Sequence, residues 1–357
     1  MRKSLLLCFV LFLLAAVCLL SVSASEKTVF LSSGATGTGA SASDPIGTLA
    51  NAYAALGDEG GTIVFINEYP FSVKADLPAH TGKITWTSVY GDTDYRESGA
   101  ALKWTKSVRI GMGGPTEIDR FHFIDAGNGV LAANFHDLTI GEDVSFTDAS
   151  GNAVYKTAVM GGPNIDTTVP VLAAGESSTL TIKSGTYLSV TAFSNNVADR
   201  SHQGTVTVDL SGDTAVKNAY LGARGTNAKG GTVVLNMTDS ASITTSLCLA
   251  NSTTLAMNGT VTVNLTGNAS IAALTKTADV LHYTSTVTLP SGFASCFTSV
   301  TQTDAETPDE PETPTEGVVF LSAGASGTGA TASDPIGTLA AAYAALGDEG
   351  EIGRAHV

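Results

Sequence analysis

The side chains best suited to proton transfer lie close together, with Asp119, Arg120, His122 and Asp125 in one short stretch and His136 and Asp137 shortly after. An imidazole beside carboxylates can take and return a proton, and a guanidinium can hold an anionic group. The spacing works against that use. If residues 119–125 form one strand, alternation puts Arg120 and His122 on one face and Asp119 and Asp125 on the other. Ordinary solvated or ladder positions are the expectation for all six, and no catalytic residue is assigned.

Other candidates resolve in the same direction. Asp92-Thr93-Asp94-Tyr95-Arg96 offers carboxylate oxygens of the kind Ca²⁺ gathers. Two acids after a glycine more often shape a turn, with Arg96 available to pair with one of them, so no metal ligand is assigned. Trp86, Tyr90, Tyr95 and Trp104 have ring faces that could stack on sugars. Aromatics make up only 7% of the chain and form no visible stripe, so core packing is expected of them. The glycines Gly34, Gly37 and Gly39 match part of a phosphate-cradling pattern, but no basic residue follows and no βαβ unit surrounds them, so no cofactor site is assigned.

These residues are carried on a repeating scaffold. Gly204-Thr-Val-Thr-Val-Asp-Leu, Gly231-Thr-Val-Val-Leu-Asn-Met and Gly259-Thr-Val-Thr-Val-Asn-Leu recur at spacings of 27 and 28, with Ser178-Thr-Leu-Thr-Ile-Lys read as an earlier turn 26 before Gly204. Val206, Val208 and Leu210 and their counterparts alternate with Thr205 and Asp209 and theirs, which predicts strands with one apolar and one polar face. Units this small cannot bury their own apolar face, so they are expected to stack as coils of a solenoid, with equivalent residues piled into ladders. Residues 61–300 would wind about nine coils, ~4.8 Å apart. Upstream, the predicted order is a strand at Thr28–Leu31, a Gly/Ser/Ala loop and a helix. Asp44 is its expected N-cap and Pro45 its first residue. Leu49, Ala52, Tyr53 and Leu56 share one face, Gly57 is the stop, and the helix caps the first coil.

The chain starts this module twice. Residues 28–60 return at 318–350 with five differences. Residues 304–317, DAETPDEPETPTEG, form an acidic, proline-rich linker between the copies. The predicted organisation is thus a signal peptide over 1–24, a β-helix module over 25–303, the linker over 304–317, and the truncated start of a second module over 318–350. Residues 351–357, EIGRAHV, can be encoded by codons that contain the opening of a short-read sequencing adapter, and are read as an artefact.

Arg2 and Lys3 precede an apolar run and a small-residue end at Ala24, the pattern of a cleaved secretory signal, so no stable membrane span is expected after cleavage. An extracellular or cell-surface location follows. The formal net charge of −15 argues against nucleic acid as a partner, because phosphate binding needs a basic surface. Cys248 and Cys296 alone remain after the signal, do not make a disulfide framework, and are expected to be small buried side chains. Asn-x-Ser/Thr strings begin at Asn236, Asn251, Asn258, Asn264 and Asn268, and are read as stacking and turn residues.

SDPIGTLANAYAAL followed by GGTIVF resembles the N-terminal cap of pectate-lyase-like right-handed parallel β-helices. Together with TSVYGDTDYR, LAANFHDLTIGEDV and the GTVTV coils, it resembles tandem modules of large secreted or surface-attached bacterial proteins, many of them adhesin-like. The resemblance implies an all-β fold, a right-handed parallel β-helix with a short N-terminal capping α-helix. It does not imply catalysis. The hydrolase strings Asn-Thr-Asp, Asp-Asp, Gly-His-Gly and Arg-Ile-Lys are absent, as are the lyase strings Trp-Ile-Asp-His and Arg-x-Pro-x-x-Arg. The expected function is therefore non-catalytic adhesion, matrix or glycan contact, with extracellular glycan or cell-envelope material as partner. The alternatives are a polysaccharide lyase or glycoside hydrolase, and a spacer carrying another domain.

Overall fold

Apolar residues at every second position need a dry face, and in this chain each coil supplies it to the next. The computed structural model describes residues 27–125, 127–164, 169–194, 198–224, 226–248, 256–275, 278–303 and 336–338. The chain divides into two units, residues 1–303 and 304–357, and all the assigned strands lie in the first. The expected signal segment, the linker and residues 351–357 lie outside the described residues, as does the second copy apart from 336–338. Among the described residues no helix is long and apolar enough to cross a membrane.

The first unit is a parallel β-helix. It has an eleven-stranded, a nine-stranded and a four-stranded sheet, and every pairing along these three sheet paths is parallel. In the earlier coils the chain visits all three sheets in turn, as in Thr116–Ile118, Phe121–Asp125 and Val130–Ala132. Later coils use only the two larger sheets, as in Thr205–Leu210 and Ala215–Tyr220.

The expected inward ladder is present. Ile63, Trp86, Ile118 and Ile140 lie opposite one another on successive strands, followed by Ile182, Leu210, Met237 and Leu265. All eight are buried, and full burial of such a side chain stabilises by about 1.5–3 kcal/mol. Aromatic rings extend the core, with Phe123 stacked on Phe146 at 4.7 Å and Phe146 edge-on to Tyr187 at 5.0 Å.

Two details of the expected repeat change. Ser178 pairs with Val206, a spacing of 28 and not 26. The offset is two residues, so each side chain keeps its face, which is why the pattern alone did not reveal it. Coil length also varies, from 42 residues between Leu138 and Leu180 to 18 between Val263 and Leu281. Corner loops absorb the difference while the strands stay in register.

The first coil is covered by the strand Thr28–Leu31 and by helix α1, Leu49–Leu56. Leu49, Ala52, Tyr53 and Leu56 are its buried residues, as the spacing predicts. The Tyr53 hydroxyl accepts a hydrogen bond from Trp86 Nε1 at 3.1 Å, which ties the cap to the core. The expected N-cap is corrected. Thr48 caps α1, its Oγ1 accepting from Asn51 N at 3.1 Å. Pro45 cannot start the helix because Ile46 runs extended beside the first strand: Ile46 N donates to Phe30 O at 2.8 Å and Ser32 N to Ile46 O at 2.9 Å. Asp44 instead closes the glycine-rich loop, accepting from the backbone and hydroxyl of Thr38, and these bonds hold its carboxyl below the usual range. A Cβ on Gly37 would lie 2.2 Å from Asp44 Oδ1, so the glycine serves close approach within the loop.

Candidate functional site

The structure distributes the six candidate proton-transfer residues. Asp119 and Arg120 form the turn between two strands, with Arg120 in the left-handed region at φ 46°. Strict alternation fails there, and the two side chains pair at 3.0 Å instead of facing apart. His122 lies on the four-stranded sheet, Nδ1 at 2.8 Å from Ser145 Oγ and Nε2 at 3.1 Å from Thr147 Oγ1. Both ring nitrogens are thus engaged by the next coil, and burial with the nearby Arg96 charge holds the imidazole below its ordinary pKa. Asp125 is fully buried, accepting from the backbone of Gly127 and Asn128 and from Thr157 Oγ1 at 2.7 Å. Asp137 accepts from Thr179 N at 2.8 Å. His136 faces a separate groove, its pKa lowered by burial and by His80 against the opposing pull of Asp137.

The remaining candidates fall into place one by one. Asp94 grips Arg96 through both carboxylate oxygens, which holds its pKa down, and Arg96 also reaches Asp143 at 2.7 Å. Asp92 lies in the exposed turn, and no group of three His, Cys, Asp or Glu among the described residues could hold a metal ion. Trp86 and Trp104 are core residues as expected. Tyr90 departs from that expectation and is 49% exposed, while Tyr95 is half-buried. Cys248 and Cys296 are half-buried and not disulfide-bonded, so the expectation of full burial fails. Asn236 and Asn264 occupy one ladder, Asn258 binds Ser201 Oγ and His202 O, and Asn268 sits in a turn. Asn251 lies outside the described residues.

What the structure does assemble is a continuous polar line on the outward face of the eleven-stranded sheet. Thr28, Thr62, Thr85, Glu117 and Thr139 pair in succession, and Thr181, Asp209, Asn236, Asn264, His282 and Thr301 continue the line without an apolar interruption. Parallel in-register stacking fixes these groups one strand spacing apart. Their alignment is built into the fold and requires no ordering on contact.

At its N-terminal end the line enters a groove of about 410 Å³. The floor holds Thr28, Thr62, Thr85 and Glu117, and one wall is the antiparallel hairpin of Val89–Tyr90 and Thr93–Asp94. Gly91, at φ 56°, makes its turn. The hairpin is pinned by Tyr95 N to Ser88 O at 2.8 Å, Val89 N to Thr87 Oγ1 at 3.1 Å, and the Asp94–Arg96–Asp143 ion pairs. It is placed over the first strands: Phe30 and Val64 point outward yet are buried, and Phe30 meets the Tyr90 ring edge-on at 5.0 Å. Those two apolar residues at outward positions were the available signal for this groove. Lys83 pairs with Glu117 at 2.5 Å, and the Asp119–Arg120 pair also lines it.

A second concavity, about 610 Å³, is lined by Leu77, Met112, Phe135, His136, Val171 and Glu176 among others. Two of its polar groups bond within the fold, Glu176 Oε2 accepting from Ala173 N at 2.7 Å and Asn134 Nδ2 donating to Met112 O at 3.0 Å, while the buried Asn134 Oδ1 has no hydrogen-bond partner. Comparison with family models, curated proteins and solved structures finds no match for this chain.

Proposed function

We propose that this chain is a secreted or cell-surface modular protein whose β-helix makes non-catalytic contact with extracellular glycan or cell-envelope material. The observation that carries the reading is the unbroken polar line on the eleven-stranded sheet, eleven strands long and fixed at the spacing of the coils. Hydroxyl, amide and carboxylate groups in such a row suit a polyhydroxylated polymer, which presents donors and acceptors along its length. The charged N-terminus with its apolar run and small-residue end supports secretion. The similarity of the cap and coils to pectate-lyase-like surface modules supports the architecture-level assignment. The dispersal of His122, Asp125 and the His136–Asp137 pair into separate surroundings favours contact over turnover.

The test is retention of the purified full chain on immobilised extracellular polysaccharides, compared with a variant carrying Thr139→Lys and Thr181→Lys. These bulky charges would interrupt the line without touching the core. Retention by the native chain and its loss in the variant is the expected result. Equal retention by both would remove the polar line from the account.

A further inference from the structure

We propose that the groove beneath the Val89–Asp94 hairpin is a binding site for a neutral pyranose unit, with Tyr90 as its stacking platform. This rests on the reading of the chain as a glycan-contact module, and specifies both place and ligand class. The cationic groups lining the groove are Lys83 and Arg120, and each is already paired, with Glu117 at 2.5 Å and with Asp119 at 3.0 Å. The groove therefore presents no uncompensated cation to a carboxylate or sulfate, and the net charge of −15 repels anions from the protein as a whole. A uronate or sulfated sugar would be bound against that field.

The uncharged groups match a neutral sugar. Thr62 and Thr85 place hydroxyls on adjacent strands, and each hydroxyl both donates and accepts, as sugar hydroxyls do. The Glu117 and Asp119 carboxylates add acceptors for further sugar hydroxyls. Tyr90 supplies an apolar surface: the residue is 49% exposed, while the contact of its ring with Phe30 holds it in place. The C–H face of a pyranose buries against such a ring, whose amphipathic character suits a site that is dry on one side and wet on the other. Preorganisation completes the case. The ion pairs Asp94–Arg96 and Arg96–Asp143 fix the hairpin before any ligand arrives, so little ordering opposes binding. A volume of about 410 Å³ is within the range of small-ligand pockets.

The test is calorimetric titration of the full chain with cellohexaose, mannohexaose and hexagalacturonate at low and high salt. The native chain is expected to bind at least one neutral hexasaccharide with an affinity that salt does not change. Tyr90→Ala should weaken it about tenfold or more, the loss of one aromatic contact, and Tyr90→Phe should retain it. Thr85→Val, isosteric and on the groove floor, should also weaken binding, and keeps the test valid if Tyr90→Ala unfolds, as its melting curve would show. Neutral binding untouched by Tyr90→Ala and Thr85→Val, or preferential salt-sensitive binding of hexagalacturonate, would overturn the groove assignment and leave the contact function standing. Absence of binding to all three probes would overturn the groove assignment, and absence of retention on the wider polysaccharide panel as well would overturn both.

Discussion

Asn264 donates its side-chain amide to Oδ1 of Asn236 across adjacent coils at 2.7 Å, and Asn236 donates in turn to Asp209 Oδ1, also at 2.7 Å. The ladder thus has a direction and ends on a carboxylate. Asn236 is both acceptor and donor, a dual role that an amide fills and a carboxylate does not.

Asn236→Asp should therefore destabilise the module. It removes the donor to Asp209 and sets two carboxylates at ladder distance, for a cost of about 1–3 kcal/mol at neutral pH. Like-charge repulsion raises the carboxyl pKa in the folded state, so acidification should relieve part of the loss. Urea unfolding of native and variant chains at neutral and acid pH checks both. Equal stability at neutral pH would mean that the ladder bonds contribute nothing net.

His202 sets an acid dependence of its own. It is fully buried, accepts from Leu172 N through Nδ1 at 3.2 Å, and lies against Phe135 and Phe193. Burial, and then the charge of Arg200, lower its pKa from 6.5 to about 4. A histidine that protonates more readily when unfolded stabilises the fold fully above pH 6.5, and that stability is lost as pH falls toward 4, by about 3 kcal/mol at most. His202→Asn can retain an acceptor for Leu172 but cannot titrate. It should lower stability at neutral pH and show a smaller decline between neutral and acid pH than the native chain. His122 and His136, also lowered by burial, contribute in the same direction in both proteins. An unchanged pH slope in the variant would rule His202 out as a principal cause.

The two candidate caps near the helix make distinct predictions. Thr48→Ala removes the acceptor for Asn51 N and should cost about 1 kcal/mol, with faster amide exchange in the first turn of α1. Asp44→Ala should leave that turn protected and loosen the loop at Thr38, whose backbone N–H and hydroxyl both donate to the Asp44 carboxylate. Hydrogen exchange resolved along the sequence separates the two, and protection loss in α1 from Asp44→Ala would reverse the assignment.

The fold was legible where one residue type repeats at one spacing. Val206, Val233 and Val261 announce both the period and the buried face, and Leu49, Ala52, Tyr53 and Leu56 announce the helix. Alternation has a period of two, so it could not register the two-residue offset at Ser178. It also could not foresee that Arg120 turns the chain and brings Asp119 to its own side. The groove was hidden for a related reason. Its wall comes from a hairpin outside the repeat, and the clue is apolar Phe30 and Val64 at positions that the pattern assigns to solvent. Asp44 before Pro45 has the form of a helix start, but the pairing of Ile46 with the first strand outweighs it.

The most direct test of the central claim is to incubate the purified full chain with a broad panel of extracellular polysaccharides, with and without Ca²⁺, and to measure retained polymer together with released reducing or unsaturated ends. The account predicts retention of at least one glycan with no release of ends in either condition. Release of ends would contradict it and show that this β-helix cleaves its ligand, whereas silence in both channels would contradict it in favour of a spacer.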